Sequence, residues 1–210
     1  MTEAAKKPLS FTDFLRVRFK GLLDAIGGFL NRLGLHPNTM TILGLAGNTV
    51  AAVLMAFGHI QWGGFIVLLM GPIDALDGTM ARLRGQPSKF GAFVDSVTDR
   101  YSELVIFGGL LVFYLLRQDW LACGLLYLAA AGSVLVSYVK ARAESLGYEA
   151  KIGILTRVER FFVVTIGLLI NQPIIALWII AILANITAVQ RIYVVRKQAL
   201  KTVEVKKVSN

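Results

Sequence analysis

The stretch DALDGTMARLRGQPSKFGAFVDSVTD, Asp74–Asp99, decides both the fold and the chemistry expected of this chain. It places four aspartates, Asp74, Asp77, Asp95 and Asp99, between apolar runs long enough to cross a bilayer. Carboxylates inside a hydrophobic segment are costly, and by default they indicate function. Because a polar loop separates the two pairs of acids, we expect the chain to turn back sharply between two helices.

The spacing of these acids predicts that they converge. Asp74 and Asp77 lie at i and i+3 of a helix, on the same face as Gly78 and Ala81 at i+4 and i+7. The second helix repeats the arrangement at intervals of four residues, with Gly91, Asp95 and Asp99. Small residues let two helix backbones approach closely. We therefore predict four carboxylates gathered across one helix pair.

Four anions in a low-dielectric pocket need compensation, because like charges in contact repel by several kcal/mol or take up protons. Arg82 alone cannot offset four charges. A set of oxygen ligands selects Mg²⁺, Mn²⁺ or Ca²⁺, and four carboxylates suffice for two ions, as in phosphoryl-transfer sites. We predict two Mg²⁺ ions, with Mn²⁺ as the alternative. Buried ion pairs or acids at helix ends are the simpler interpretation of the same residues.

The stretch also resembles a known signature. The pattern D-x2-D-G-x2-A-R-x8-G-x3-D-x3-D is typical of the CDP-alcohol phosphotransferases. Every fixed position is present here: Asp74, Asp77, Gly78, Ala81, Arg82, Gly91, Asp95 and Asp99. The resemblance implies an integral membrane enzyme that moves a phosphatidyl-type group from a CDP-lipid to an alcohol and releases CMP. It also implies a homodimer.

Composition independently indicates a membrane protein. The chain is 56% hydrophobic, its mean hydropathy is +0.65, and its net charge is +9. Basic residues cluster at the N-terminus, in the 82–89 loop, in the 140–160 region and after Arg191. This distribution favours a positive-inside membrane topology over nucleic-acid binding. The single cysteine, Cys123, excludes an intrachain disulfide.

Hydrophobic periodicity predicts an all-α integral membrane protein in one domain, 1–210. We expect an amphipathic helix on the membrane surface within 1–36, a six-helix bundle over 37–195 and a basic tail over 196–210. The predicted membrane spans are about 39–57, 62–82, 90–116, 120–144, 156–171 and 174–195. An even number of spans puts both termini on one side of the membrane, and the cationic clusters and the acidic site then fall on that side. The positive-inside rule makes this the cytoplasmic side of a cell membrane.

The family resemblance assigns roles within the site. It implies that Asp99 is the general base for the acceptor hydroxyl, while the metal ions contact all four aspartates. The expected contacts of the CDP-lipid are Asn38, Thr41, Gly78, Ala81, Arg82, Ser88 and Gly91. From local sequence alone, Asn38 is a helix cap and Ser88 a loop residue.

A second group of cations lies outside the signature: Lys140, Arg142, Arg157, Arg160 and Arg191. Singly, each is typical of a positive-inside anchor or a snorkelling side chain. Together they could surround an anionic acceptor. The segments Ser137–Glu144 (SYVKARAE) and Arg157–Arg160 (RVER) resemble the phosphatidylinositol-phosphate synthase branch of the family and its archaeal counterpart. That resemblance implies that Lys140, Arg160 and Arg191 hold the phosphate of inositol phosphate.

The predicted reaction is therefore transfer of a phosphatidyl group from CDP-diacylglycerol to inositol 1-phosphate. The near alternative is the same chemistry with glycerol 3-phosphate as acceptor. A distant alternative is a divalent-cation transporter that uses the aspartates as an ion path, although transporters tend to place such sites at broken helices within repeats. The lipid tails, diacyl or archaeol-type, stay open at this point.

Overall fold

The computed structural model describes residues 11–85 and 88–208, and their side chains from Arg18 to Lys201. These residues form seven α-helices and no strand. The helices are α1 (Phe11–Arg32), α2 (Pro37–Ala56), α3 (Ile60–Leu83), α4 (Lys89–Leu115), α5 (Trp120–Ser145), α6 (Arg157–Leu169) and α7 (Pro173–Val208). The all-α prediction is confirmed, and a helix lies at each of the six predicted spans.

Most helix ends follow from local sequence. Gly58 ends α2 in a left-handed conformation (φ 92°), and the N–H of His59 bonds to the carbonyl of Leu54 at 2.9 Å. This is the Schellman arrangement that glycine favours at a helix C-terminus. The start of α2 differs from the prediction, because Pro37 is the first helical residue, where its missing N–H costs nothing. Asn38 therefore lies inside the first turn and is not the cap.

The last helix is longer than predicted. We expected it to end near residue 195, but α7 continues to Val208. Neither glycine nor proline follows Pro173, and Lys197, Gln198, Ala199 and Leu200 are good helix formers. The expected end was wrong because the last apolar residues of the span do not mark the end of the helix, and lysine is well tolerated in helices.

Four of the helices are long and apolar enough to cross a membrane, judged by length and composition among the described residues. They are α2, α3, α5 and α7 over Pro173–Lys201. The charged residues of α4, which include Arg100 as well as its acids, and the 13-residue length of α6 keep these two helices outside that criterion. The chain thus has the character of a membrane protein, while the count of six spans stays a prediction.

The chain divides into two compact units, Met1–Gly44 with Gly71–Thr98 and Leu45–Met70 with Asp99–Asn210. The core of the first unit is small: Met40, Leu76 and Met80 are buried, and Leu23 and Leu30 of α1 pack against them. Other apolar side chains of the α1 segment stay exposed, including Phe19, Leu22, Phe29 and Leu33. A helix is present in this part of the chain, while its amphipathic character and its place on a membrane surface stay predictions.

The second unit holds the larger core, whose most buried members include Met55, Leu110, Leu168, Leu177 and Ile180. Small residues at the contacts between its helices let the helix backbones approach closely. At Gly109, an added methyl group would meet the backbone of Ala52, and at Gly132 it would meet the side chain of Asn185. α7 packs along both α5 and α6 in this unit. The core therefore holds α6, with its cations, in a defined place.

Candidate active site

The first unit contains Asp77, one of the two acids of α3, in a buried position. Its side chain receives a 2.6 Å hydrogen bond at Oδ2 from the hydroxyl of Thr41, and a second at Oδ1 from the backbone N–H of Gly78. Thr41 is itself buried. Because a buried carboxylate needs such donors, Thr41 serves to hold the acid in one orientation.

Gly44 makes room for the other acid of α3. A methyl group added at position 44 would collide with Oδ1 of Asp74. Gly44 lies three residues after Thr41, so both face α3 from the same side of α2. Sequence analysis missed Gly44. The signal was available in the i, i+3 spacing of a polar and a small residue in an apolar helix.

The C-terminal end of α3 carries the predicted CDP-lipid residues Gly78, Ala81 and Arg82. The guanidinium of Arg82 is exposed and donates a 2.8 Å hydrogen bond from Nη2 to the hydroxyl of Thr79. A methyl group added at Gly78 would meet only Nη1 of Arg82, at 3.5 Å. One N–H of this exposed guanidinium is bonded to Thr79, and its other N–H groups can face an anion. The predicted contact with the phosphates of a CDP-lipid requires such groups.

Arg84, just beyond α3, joins this end of the helix to the last turn of α1 and to the segment that follows it. Its Nε donates to Oδ1 of Asn31 at 2.7 Å, and its Nη2 donates to the carbonyl of Leu35 at 2.5 Å. Asn31 in turn donates to the carbonyl of Met80 at 3.1 Å. Sequence analysis missed this network, since nothing in the local pattern separates Arg84 from an ordinary topological arginine.

The start of α4 presents Ser88, Gly91 and Asp95. The hydroxyl of Ser88 accepts a 2.8 Å hydrogen bond from the backbone N–H of Gly91. Ser88 therefore caps α4, a more definite role than the loop residue that local sequence predicts. Asp95 lies one turn beyond Gly91 and is half-buried. Asn38 is exposed near the start of α2.

Asp99 is the first residue of the second segment of the second unit, Asp99–Asn210, and its side chain is only 8% exposed. Its Oδ1 pairs with Nη2 of Arg157, and its Oδ2 lies 3.6 Å from Nη1 of Arg100. The predicted general base and one predicted acceptor cation are thus direct neighbours. The side chain of Arg157 is 47% exposed, so one face of this pair is open to solvent.

Glu103 forms the second ion pair between α4 and α6. Nε of Arg160 donates to Oε1 of Glu103 at 2.7 Å, and Nη2 donates to Oε2 at 3.1 Å. Arg160 is 1% exposed. Sequence analysis missed Glu103, although it continues the four-residue spacing of Asp95 and Asp99. That continuation was the available signal.

The remaining predicted acceptor cations differ in their surroundings. Nζ of Lys140 lies 4.0 Å from Oε1 of Glu144, one turn further along α5. Arg142 is exposed. Arg191 is buried, and it donates from Nε to the carbonyl of Ile152 at 2.8 Å and from Nη1 to that of Val136 at 2.5 Å. The structure therefore holds Arg191 to backbone carbonyls.

Among the described residues, no group of three or more His, Cys, Asp and Glu side chains is arranged to hold a metal ion. The chemistry of the predicted ligands nevertheless fits a hard divalent cation, because carboxylate oxygens are the donors that Mg²⁺ and Mn²⁺ prefer. The boundary between the units falls between Thr98 and Asp99. The four aspartates as a metal site therefore stay a prediction.

A profile of the CDP-alcohol phosphatidyltransferase family matches residues 34–198, which is most of the chain. The chain belongs to the CDP-alcohol phosphatidyltransferase family. The predicted family and enzyme class are thereby confirmed, and a CDP-alcohol phosphatidyltransferase is a transferase of phospholipid synthesis, not a cation transporter.

This CDP-alcohol phosphatidyltransferase is similar to curated proteins along most of its length. It is 35% identical to a phosphatidylinositol phosphate synthase of Mycobacteroides abscessus, over 86% of each chain. It is 37% identical to an archaetidylinositol phosphate synthase of Pyrococcus horikoshii, over 88% of this chain and 96% of the relative. The predicted resemblance to the phosphatidylinositol-phosphate synthase branch is confirmed.

Solved structures of the Mycobacterium tuberculosis phosphatidylinositol phosphate synthase are also similar to this transferase. The crystal structure with bound CDP-DAG has a TM-score of 0.77 and 32% identity, over 82% of this chain and 92% of that one. The structure with manganese and citrate has the same TM-score and identity, over 82% and 88%. The likeness therefore extends from sequence to three-dimensional fold.

Proposed function

We propose that the protein transfers a phosphatidyl group from CDP-diacylglycerol to inositol 1-phosphate, producing phosphatidylinositol phosphate and CMP. The observation that carries this proposal is the complete eight-position signature, Asp74–Asp99, in a chain that is similar to phosphatidylinositol phosphate synthases of several organisms. A solved relative with CDP-DAG bound supports the donor substrate.

The four aspartates are the proposed metal ligands. Asp74, Asp77, Asp95 and Asp99 would hold two Mg²⁺ ions, with Mn²⁺ as the alternative, and a related structure that contains manganese supports this choice. When bound, the ions supply Lewis-acid neutralisation of the pyrophosphate charge. Thr41 fixes the orientation of Asp77, and Gly44 leaves space for Asp74. Both contacts serve to hold the ligands ready before substrate enters.

Asp99 is the proposed general base. It accepts the proton of the acceptor hydroxyl as that oxygen attacks the phosphorus attached to the diacylglycerol. The bond from this phosphorus to the CMP oxygen breaks, and CMP leaves with the electron pair. Positioned general bases contribute about 10²–10⁴-fold to a rate. The neighbouring Arg157 contacts Asp99, so a proposed acceptor cation lies directly beside the proposed base.

The nucleotide and the acceptor would bind at different groups of residues. For the CDP-lipid we propose Asn38, Thr41, Gly78, Ala81, Arg82, Ser88 and Gly91. For the acceptor phosphate we propose Lys140, Arg142, Arg157, Arg160 and Arg191. The cations suit a phosphate monoester better than a neutral alcohol, and this difference supports inositol 1-phosphate over free inositol.

The lipid donor has a second candidate. The 37% identity to an archaetidylinositol phosphate synthase favours an archaeol-type CDP-lipid as a donor of the same reaction. The lipid tails do not take part in the phosphoryl transfer, so the same aspartates would serve both donors. Assay of CDP-diacylglycerol against CDP-archaeol therefore determines the lipid without altering the proposed mechanism.

We further propose a multi-pass protein of the cell membrane, with six spans and a homodimeric assembly. The positive-inside distribution of lysine and arginine supports cytoplasmic termini and a cytoplasmic active site. The N-terminal helix α1, with its exposed apolar side chains, would lie on the membrane surface beside lipid headgroups. No nucleic-acid partner is proposed.

The test is CMP release by the purified protein with CDP-diacylglycerol and Mg²⁺. Inositol 1-phosphate, inositol, glycerol 3-phosphate and serine would be compared as acceptors. Release driven by inositol 1-phosphate alone is the expected result. Release driven only by glycerol 3-phosphate would keep the aspartate chemistry and overturn the acceptor assignment. Absence of release with every acceptor would overturn the proposed function.

A further inference from the structure

The segment between α5 and α6, residues 146–156, is fastened to α7 along its length. We refer to it as the α5–α6 strap. It leads directly into Arg157 and Arg160, two of the proposed acceptor residues. Its backbone would therefore transmit any displacement to the cations at the start of α6.

Gln198 holds the first part of the strap. Its side-chain Oε1 accepts a 3.0 Å hydrogen bond from the backbone N–H of Glu149, and its Nε2 donates a 2.6 Å bond to the carbonyl of the same residue. One amide thus satisfies both backbone groups of Glu149, as a neighbouring strand would. The next residue, Ala150, is fully buried.

Two more residues of α7 hold the rest of the strap. Nε of Arg191 donates to the carbonyl of Ile152 at 2.8 Å. The hydroxyl of Thr187 accepts a 3.1 Å bond from the backbone N–H of Leu155 and donates to the carbonyl of Leu183. Thr187, Arg191 and Gln198 follow one another at i, i+4 and i+11, which places them on one face of α7.

We infer that Gln198, in the part of α7 expected to be only a basic tail, is a positioning residue for acceptor binding. It fastens the α5–α6 strap and thereby sets the place of Arg157 and Arg160. The inference rests on the proposed function for its link to the acceptor. The fastening itself does not depend on any substrate.

The experiment compares Gln198→Met with the matched variant Lys197→Met in the full-length protein. Methionine resembles glutamine in length and helix propensity but cannot make the two amide hydrogen bonds. Lys197 is the exposed neighbour on the same turn. The substrate-independent measurement is the rate of trypsin cleavage after Lys151, an exposed lysine within the strap.

We expect cleavage after Lys151 to be about tenfold faster in Gln198→Met, because losing two hydrogen bonds raises the open population of a local segment. We also expect the KM for inositol 1-phosphate to rise about threefold to tenfold, with the KM for CDP-diacylglycerol unchanged. Lys197→Met should match the wild type in both measurements.

The two measurements test separately whether Gln198 fastens the α5–α6 strap and whether it positions the acceptor residues. Unchanged cleavage in Gln198→Met would overturn the fastening. Faster cleavage with an unchanged acceptor KM, or with equal rises in both KM values, would overturn the positioning role. If the wild-type protein uses glycerol 3-phosphate instead, the acceptor KM is measured with that substrate. If it uses neither acceptor, the proposed function and the positioning role both fail, while cleavage still reports the fastening.

Discussion

Arg160 and Glu103 form a two-armed ion pair in which the arginine is 1% exposed and both carboxylate oxygens accept from its guanidinium, at 2.7 and 3.1 Å. Such a fork fixes the plane of the guanidinium as well as its position. The remaining N–H groups of Arg160 consequently have a defined direction. In the proposed acceptor site, the pair would therefore determine the direction from which Arg160 meets the phosphate.

Removing the charge of Glu103 should destabilise the protein strongly. In Glu103→Gln the buried Arg160 loses its counter-charge, and breaking a buried pair in this way costs about 3–5 kcal/mol. We expect a clear fall in the thermal unfolding midpoint, measured in detergent. Glu144→Gln is the control, because the side chains of Glu144 and Lys140 are 45% and 44% exposed. Exposed ion pairs of this kind contribute only about 0–1 kcal/mol to the free energy of unfolding. Equal midpoints for the two variants would contradict the prediction.

Replacing Asp99 should remove activity while keeping the fold. Asp99→Asn preserves the size of the side chain and loses the basic oxygen, so turnover should fall by about 10²-fold or more. CMP release at saturating substrates measures the effect, and the thermal midpoint measures folding. Near-normal turnover would rule out Asp99 as the general base.

A methyl group at position 44 should disturb Asp74, a proposed metal ligand, without changing the residue itself. Gly44→Ala would push on Oδ1 of Asp74, and the carboxylate must rotate away. We expect the Mg²⁺ concentration for half-maximal turnover to rise about tenfold, the scale of effect of disturbing groups around a metal site. Binding of Mn²⁺, followed by electron paramagnetic resonance, should weaken in parallel.

The matched control for position 44 is Gly28→Ala, since an added methyl at Gly28 meets no atom within 4 Å. This variant should need the same metal concentration as the wild type. If Gly44→Ala behaves like Gly28→Ala, the carboxylate of Asp74 does not take part in metal binding.

Removing the hydroxyl of Thr41 should loosen Asp77. Thr41→Val is nearly isosteric and removes the 2.6 Å bond to Oδ2, and hydrogen bonds to charged groups are worth about 1.5–3 kcal/mol. We expect turnover to fall about tenfold to a hundredfold. Thr49→Val is the control, because Thr49 is exposed and its hydroxyl bonds only within its own helix, to the carbonyl of Leu45. A similar loss in both variants would indicate a general effect on α2.

Sequence patterns predicted the helices well, because long apolar runs between polar turns leave few other solutions in a membrane. They failed for the end of α7, where helix propensity outweighed the polar composition of the last residues. The aspartates could be recognised because their spacing and their setting are both unusual.

Other residues could not be found from one sequence because their importance arises only through contacts between distant segments. Gly44 resembles any small helix residue until Asp74 is seen beside it. Glu103 gains its role from Arg160, 57 residues later. Gln198 likewise resembles a solvated tail residue until the backbone of Glu149 lies next to it.

The length of α7 has a practical consequence. At about 1.5 Å per residue, its 36 residues extend for roughly 54 Å, whereas the hydrocarbon layer measures about 30 Å. A fluorescent reporter attached at Val208, the last residue of α7, would therefore be held at the end of a continuous helix. Energy transfer from such a reporter to dyes in the bilayer would then measure the distance between the C-terminal end of α7 and the lipid.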